Sequence, residues 1–230
     1  MKCTFYGHAC FLLDTGRHKI LFDPFIRGNE KAAHINVDSI EADFILLSHG
    51  HVDHIAETEE IAKRCRATVV SNYEVAMYFG AKECQIHPMN HGGSWSFDFG
   101  RVHYVQAVHT SSLPDGSYGG QPGGFVIEFE NMLFYYSGDT AVTLDMTLIP
   151  EMIGPIDFSV LPIGGNFTMD HKGAIKTSEL IQCKRVLGIH FDTFGYIEVD
   201  HEEVKADFKK AGIDFTCLLY TSPSPRDLRK

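Results

Sequence analysis

Six consecutive positions, His49-Gly50-His51-Val52-Asp53-His54, hold three imidazoles and a carboxylate. Neutral imidazole nitrogen and carboxylate oxygen are ordinary ligands of zinc and similar divalent ions. His49 and His51 are two residues apart, so in an extended turn both can reach one metal. Asp53 and His54 fall where a helix would begin and point elsewhere, toward a second metal. No cysteine lies inside the turn, whereas closed structural zinc sites favour thiolates. A reactive metal centre therefore explains the stretch better than a structural ion.

The turn needs elements to hold it. The apolar run Phe44-Ile45-Leu46-Leu47 leads in as a strand, and an amphipathic pattern from Ile55 to Cys65 leads out as a helix. That places the ligands at the carboxyl end of a strand, the edge where open α/β sheets collect their sites. Before it, Lys2 to Tyr6, Cys10 to Asp14 and His18 to Phe22 read as short strands, followed by a polar loop from Ile26 to Ser39. After it, strands are expected at 67–71, 85–89, 94–99, 101–108, 125–130, 132–136, 158–162, 185–189 and 213–218. Helices are expected at 73–79, 174–183 and 202–211. Thr110 to Gly124 is rich in Gly, Ser and Pro and reads as a long surface loop beside the site.

Three distant residues share one placement. His109, Asp139 and His190 each follow an expected strand and open a loop. Together with the turn they make seven ligands, five His and two Asp. Two metals need about that many if a carboxylate and a water bridge them.

This set, His49-x-His51-x-Asp53-His54, then His109, Asp139 within Ser-Gly-Asp-Thr, and His190, resembles the full motif series of the metallo-β-lactamase superfamily. The resemblance runs from Lys2 to about Cys217. Tyr6-Gly7-His8-Ala9-Cys10-Phe11-Leu12, Ile20-Leu21-Phe22-Asp23-Pro24-Phe25 and Asn166-Phe167-Thr168-Met169 are similar to one branch. That branch holds small single-domain metal-dependent hydrolases related to ascorbate-6-phosphate lactonase. The resemblance implies an α/β fold, an αββα sandwich, with a dinuclear site at one edge. It implies that His49, His51 and His109 hold one metal, that Asp53, His54 and His190 hold the other, and that Asp139 bridges. The implied activity is hydrolysis of a small ester, lactone or phosphodiester by a metal-bridged hydroxide, with Asp53 orienting the nucleophile. The ions are expected to be Zn2+, with Mn2+ or Fe2+ open. A diiron redox protein and a non-catalytic metal-binding protein use the same scaffold. The resemblance places Glu at the position of His51 in the diiron reductases, so His51 favours the hydrolase.

Composition bounds the rest. The chain has 230 residues, is 44% hydrophobic and carries a formal net charge of -10. The size suits one domain, expected over 1–218. The apolar runs are far shorter than a membrane span. The start reads directly into strand sequence with no secretory signal region, so a cytoplasmic protein is expected. The acidic balance argues against nucleic acid and leaves a small-molecule substrate as the expected partner. Whether the chain works alone or as a homo-oligomer stays open. Six scattered cysteines without a CxxC pair read as reduced core thiols.

Other residues carry two readings each. His8 is either a proton-handling or substrate-contacting group, catalytic alongside Asp53, or a core hydrogen-bonder. Asn166, Phe167, Phe191 and Phe194 follow strands at the site edge and could line a substrate pocket or simply pack. Asp23 is either a partner of a ligand histidine or a turn former before Pro24. Residues 219–230, polar and aperiodic, look like a non-native or disordered tail.

Overall fold

The computed structural model describes residues 2–217 and the backbone of the pair Arg226–Asp227. The expectation for the tail at 219–230 otherwise lies outside the described residues. In chain order the elements are β1 (Lys2–Gly7), β2 (Cys10–Asp14), β3 (Lys19–Phe22), β4 (Phe44–Leu46), α1 (Val52–Ile55), α2 (Thr58–Cys65), β5 (Thr68–Asn72), α3 (Tyr73–Gly80) and β6 (Gln85–Met89). Then come β7 (Ser94–Phe97), β8 (Gly100–Gln106), β9 (Gly123–Phe129), β10 (Met132–Tyr136), α4 (Leu148–Met152), β11 (Phe158–Pro162), α5 (His171–Leu180), β12 (Arg185–Ile189), α6 (His201–Lys210), β13 (Asp214–Cys217) and β14 (Arg226–Asp227).

These form two compact units, residues 2–90 with 110–122, and residues 91–109 with 123–217. The first holds a seven-stranded sheet in the order β14-β1-β2-β3-β4-β5-β6. The second holds a seven-stranded sheet in the order β7 through β13 reversed. Each sheet is antiparallel over its first part and parallel over its second. In the first sheet β1, β2 and β3 pair antiparallel, then β3 to β6 pair parallel. In the second, β7 to β10 pair antiparallel and β10 to β13 parallel. Parallel strands run the same way, so their carboxyl ends and the loops that follow them gather on one edge.

Parallel strands buried on both faces need continuous apolar sequence. Phe158–Pro162 is buried at every position, and Ile45 and Leu46 of β4 are fully buried. The first unit's core joins Leu21, Ile45 and Val69 of the sheet to Ile61 of α2 and Val75 and Phe79 of α3. The second unit's core joins Val126, Tyr135, Leu161 and Val186 to Ala174 of α5 and to Val204 and Phe208 of α6.

The strands fall close to where the apolar runs put them. The helix expected from Ile55 to Cys65 is broken instead. Glu57 interrupts it, because its buried carboxylate turns away to accept from the Ile26 N–H at 2.8 Å and the Arg27 N–H at 3.2 Å. The Glu57 N–H donates to the Pro24 carbonyl at 3.1 Å. Among the described residues no helix is long and apolar enough to cross a membrane.

All six cysteines are free, and four of them are buried. Burial pushes the Cys3 thiol up to about 12 and the Cys217 thiol up to about 11. Since the thiolate is the reactive form, an aromatic disulfide reagent at about pH 8 should modify Cys65 fast and Cys217 slowly. The other four should react only on unfolding. Rapid native reaction of Cys3 or Cys10, read by peptide mass mapping, would contradict this packing.

Candidate metal centre

In the first unit the ligand turn leaves β4 through Leu47 and Ser48. His51 takes an extended conformation, φ -65° and ψ 144°, as the cap of α1, and its side chain makes no capping bond. Its ring is instead turned to His49, with His51 Nδ1 2.9 Å from His49 Nε2. Two nitrogens on one tetrahedral zinc, each about 2.05 Å away, stand about 3.4 Å apart. The pair is about 0.5 Å short of that spacing, a gap that a small ring rotation closes, so these residues fit a shared ion.

One carboxylate organises the turn from behind. Asp23 has no exposure to solvent. Its Oδ1 accepts from the Ser48 N–H at 2.8 Å. Its Oδ2 lies 2.7 Å from His54 Nδ1 and 2.5 Å from Ser48 Oγ. Ser48 Oγ in turn lies 2.9 Å from His49 Nδ1. The Ser48 hydroxyl donates to Asp23 and accepts from the His49 Nδ1–H, while His54 Nδ1–H donates to Asp23. The network thereby assigns both histidines the tautomer with a lone pair on Nε2, the form that binds a cation. Of the two readings of Asp23, the structure has the hydrogen-bond partner of a candidate ligand histidine. Asp23, His49 and His54 also form a group of potential ligands within 4.8 Å of one another, but both Asp23 oxygens are engaged by the turn.

Asp53 lies on the first turn of α1. Its Oδ2 is 3.1 Å from His8 Nε2 and 3.8 Å from His54 Nε2. Its side chain is 29% exposed, whereas His8 is fully buried. His8 sits at φ 54°, a conformation uncommon for a non-glycine residue, and it packs edge-on against Phe25 and His54. Of the two readings of His8, burial and hydrogen bonding are both present, and the bond is made to the carboxylate expected to do chemistry.

From the outside, the Gly50 N–H donates to Ser111 Oγ at 3.0 Å, and the Ser111 hydroxyl donates to the Gly119 carbonyl at 2.8 Å. Asn72 holds the same loop through the carbonyls of Gly119 and Gln121. The stretch read as a surface loop thus clips the ligand turn. Neither Ser48 nor Ser111 stood out in the sequence; serines without a motif carry no signal.

In the second unit, residues 107–109 run beside 139–141. The Val108 N–H donates to Thr140 Oγ1 at 3.0 Å, and the Ala141 N–H donates to the Val108 carbonyl at 3.0 Å. This brings His109 to Asp139. Asp139 Oδ2 lies 3.7 Å from His109 Nε2 and 3.0 Å from His190 Nε2. Asp139 and His190 are both buried. His190 adopts φ 54° directly after β12. Gly164 faces it so closely that an added Cβ would lie 2.2 Å from the His190 carbonyl oxygen, so only glycine fits there.

The four candidate pocket residues separate. Asn166, Phe167 and Phe194 are exposed. Phe191 is corrected: it is 1% exposed, belongs to the second unit's core, and sets its ring against His201. It packs and does not line a surface pocket.

The Asp23 network makes a measurable demand. Asp23→Ala strands the buried Ser48 N–H and His54 Nδ1–H, and should cost about 3–5 kcal/mol of stability in denaturant unfolding. Asp23→Asn, closer in shape, should fold and bind metal about 10–100-fold more weakly by chelator competition. Wild-type affinity in Asp23→Asn would mean the carboxylate does not orient the ligands.

Comparison with known proteins gives the family. The model of the "Beta-lactamase superfamily domain" matches residues 2–190. A "UPF0173 metal-dependent hydrolase" of Flavobacterium johnsoniae is 54% identical over 218 residues, covering 95% of this chain and 96% of that protein. The Bacillus subtilis protein "UPF0173 metal-dependent hydrolase YtkL" is 42% identical over 207 residues, covering 88% and 90%. Among solved structures, Igni18, "a novel metallo hydrolase" from Ignicoccus hospitalis, superimposes with a TM-score of 0.86 at 26% identity, covering 99% of both chains. The chain therefore belongs to the metallo-β-lactamase superfamily, within its metal-dependent hydrolases.

Proposed function

We propose that residues 1–218 form one hydrolase domain whose centre takes two divalent ions and cleaves a small ester, lactone or phosphodiester. By motif correspondence, His49, His51 and His109 would hold one ion and Asp53, His54 and His190 the other, with Asp139 available to both. The observation that carries the two-ion reading is Asp139 Oδ2, which stands within 3.7 Å of two imidazole Nε2 atoms, those of His109 and His190. One carboxylate oxygen facing two histidines suits a bridge better than a ligand to one ion. Zinc suits the imidazole-rich donor set, and manganese and iron remain compatible.

Divalent ions in such a centre would supply Lewis acidity and lower the pKa of bound water to about 7. The chain's own residues do the rest. Asp53, partly exposed and tied to His8, orients the nucleophile and accepts its proton at the carboxylate. His8 Nε2, 3.1 Å away, holds that carboxylate in place and is the next proton carrier. Asp23 and Ser48 hold the rings of His54 and His49 with Nε2 aimed outward. The acidic balance of the chain, -10, supports a small substrate over a nucleic acid, and a cytoplasmic setting suits its free thiols.

Two variants test the roles. Asp53→Ala, loaded with excess metal, should fold and still bind metal, while kcat on a responsive ester or lactone falls about 10²–10⁴-fold with a smaller change in KM. Near-normal kcat at full loading would remove Asp53 from the chemistry. Asp139→Asn should keep a cooperative fold by circular dichroism, bind metal more weakly and lose hydrolysis. Unchanged occupancy would show that Asp139 is not a ligand.

A further inference from the structure

Of the three loops that leave the second sheet around Asp139 and His190, the two after β11 and β12 present exposed aromatic rings on hydrogen-bonded frames. The loop after β11 is fixed at both ends. Gly164 abuts the His190 carbonyl and bridges to Asp170, and the Met169 N–H donates to the carbonyl of Thr140, the residue after Asp139, at 2.9 Å. At its tip, Phe167 is 51% exposed. The loop after His190 is equally tied down. The Asp192 N–H donates to the Ile197 carbonyl at 2.8 Å, the Ile197 N–H donates to Phe194 at 3.0 Å, and Val199 N–H donates to Asp192 Oδ1 at 3.1 Å. That frame presents Tyr196, 77% exposed, with its ring 6.2 Å from Phe167 at 75°. Exposed aromatics on ordered loops beside candidate ligands cost solvation that a bound apolar group would offset.

The same loops have no cation to offer. Residues 137–147, 163–171 and 190–200 contain no Lys or Arg, and neither do 48–57 and 110–122. They do carry Asp145, Asp170, Asp192 and Glu198. Just beyond them, Lys172 is engaged by Glu203 at 3.2 Å. The amino terminus of α5, the other resource for an anion, is already capped by Asp170, which accepts from the Gly173 N–H at 2.8 Å. Phosphate recognition ordinarily relies on such cations or free helix ends.

We infer that the substrate is an uncharged carboxylic ester or lactone bearing an aromatic or similarly bulky apolar group, which packs on Phe167 and Tyr196. This rests on the hydrolase reading above and narrows it by excluding phosphorylated substrates. Hydrolysis adds one water: the acyl carbon–oxygen bond breaks, the acyl carbon takes the hydroxyl, and the proton goes to the departing oxygen.

The test uses zinc-loaded full-length chain, wild type and the double variant Phe167→Ala/Tyr196→Ala. Both positions are exposed, so circular dichroism and metal content should match wild type. Initial rates are compared for dihydrocoumarin, δ-valerolactone and a phosphorylated gluconolactone, and the neutral dye N-phenylnaphthylamine is titrated by fluorescence. Dihydrocoumarin should lead and the phosphorylated lactone should trail. The kcat/KM ratio of dihydrocoumarin to valerolactone should fall about tenfold in the variant, and dye affinity about as much. A preference for the phosphorylated lactone, or an unchanged ratio and dye affinity, overturns the inference while leaving hydrolysis intact. Wild-type protein inactive on all three, with dye binding still lost in the variant, would sustain the apolar subsite and overturn the hydrolase reading.

Discussion

A buried carboxylate persists only where hydrogen bonds replace the water it has lost, and much of this protein's ligand turn depends on one. Asp23 accepts from the backbone of Ser48, from its hydroxyl and from His54. Through Ser48 it also reaches His49. Each bond to a charged acceptor contributes about 1.5–3 kcal/mol, but the larger effect is directional. The carboxylate holds two imidazoles in one tautomer and rotation, so both Nε2 lone pairs are set by the chain itself.

Positive backbone φ also occurs where the chemistry is expected. His8, Asp23 and His190 all adopt positive φ, at 54°, 38° and 54°. Such conformations cost of order 1–3 kcal/mol each and endure only where the surroundings enforce them. In each case a strand has just ended and a side chain must turn back over the sheet edge. The two units solve this in parallel ways. Asp23 N–H donates to the Leu46 carbonyl of the neighbouring strand, and Ser137 N–H donates to Val160 in the same relation. Repeating the antiparallel-then-parallel order gives each unit an edge on which to set ligands.

Much of this was legible in the sequence because it is local. Apolar runs such as Phe158–Pro162 mark strands buried on both faces, and the spacing of His49, His51, Asp53 and His54 states its own chemistry. Misreadings arise where a side chain answers to a distant partner. The helix over 55–65 breaks because Glu57 serves backbone N–H groups about thirty residues earlier. Ser111 clips Gly50 across 61 positions, a relation no pattern encodes. Phe191, next to His190 in sequence, goes inward because the left-handed turn at His190 redirects the chain. The choice between the two readings of Asp23 needed the fold itself, since Asp-Pro at a turn looks the same either way.

The central claim is that these histidines and aspartates make a centre for two ions. Elemental analysis answers it most directly. The chain is stripped with chelator, reloaded with excess zinc, freed of loose metal by desalting, and its metal content is divided by its protein concentration. The account predicts two equivalents per chain, with the second lost in Asp139→Asn. One equivalent or fewer at saturation in the wild type would contradict it.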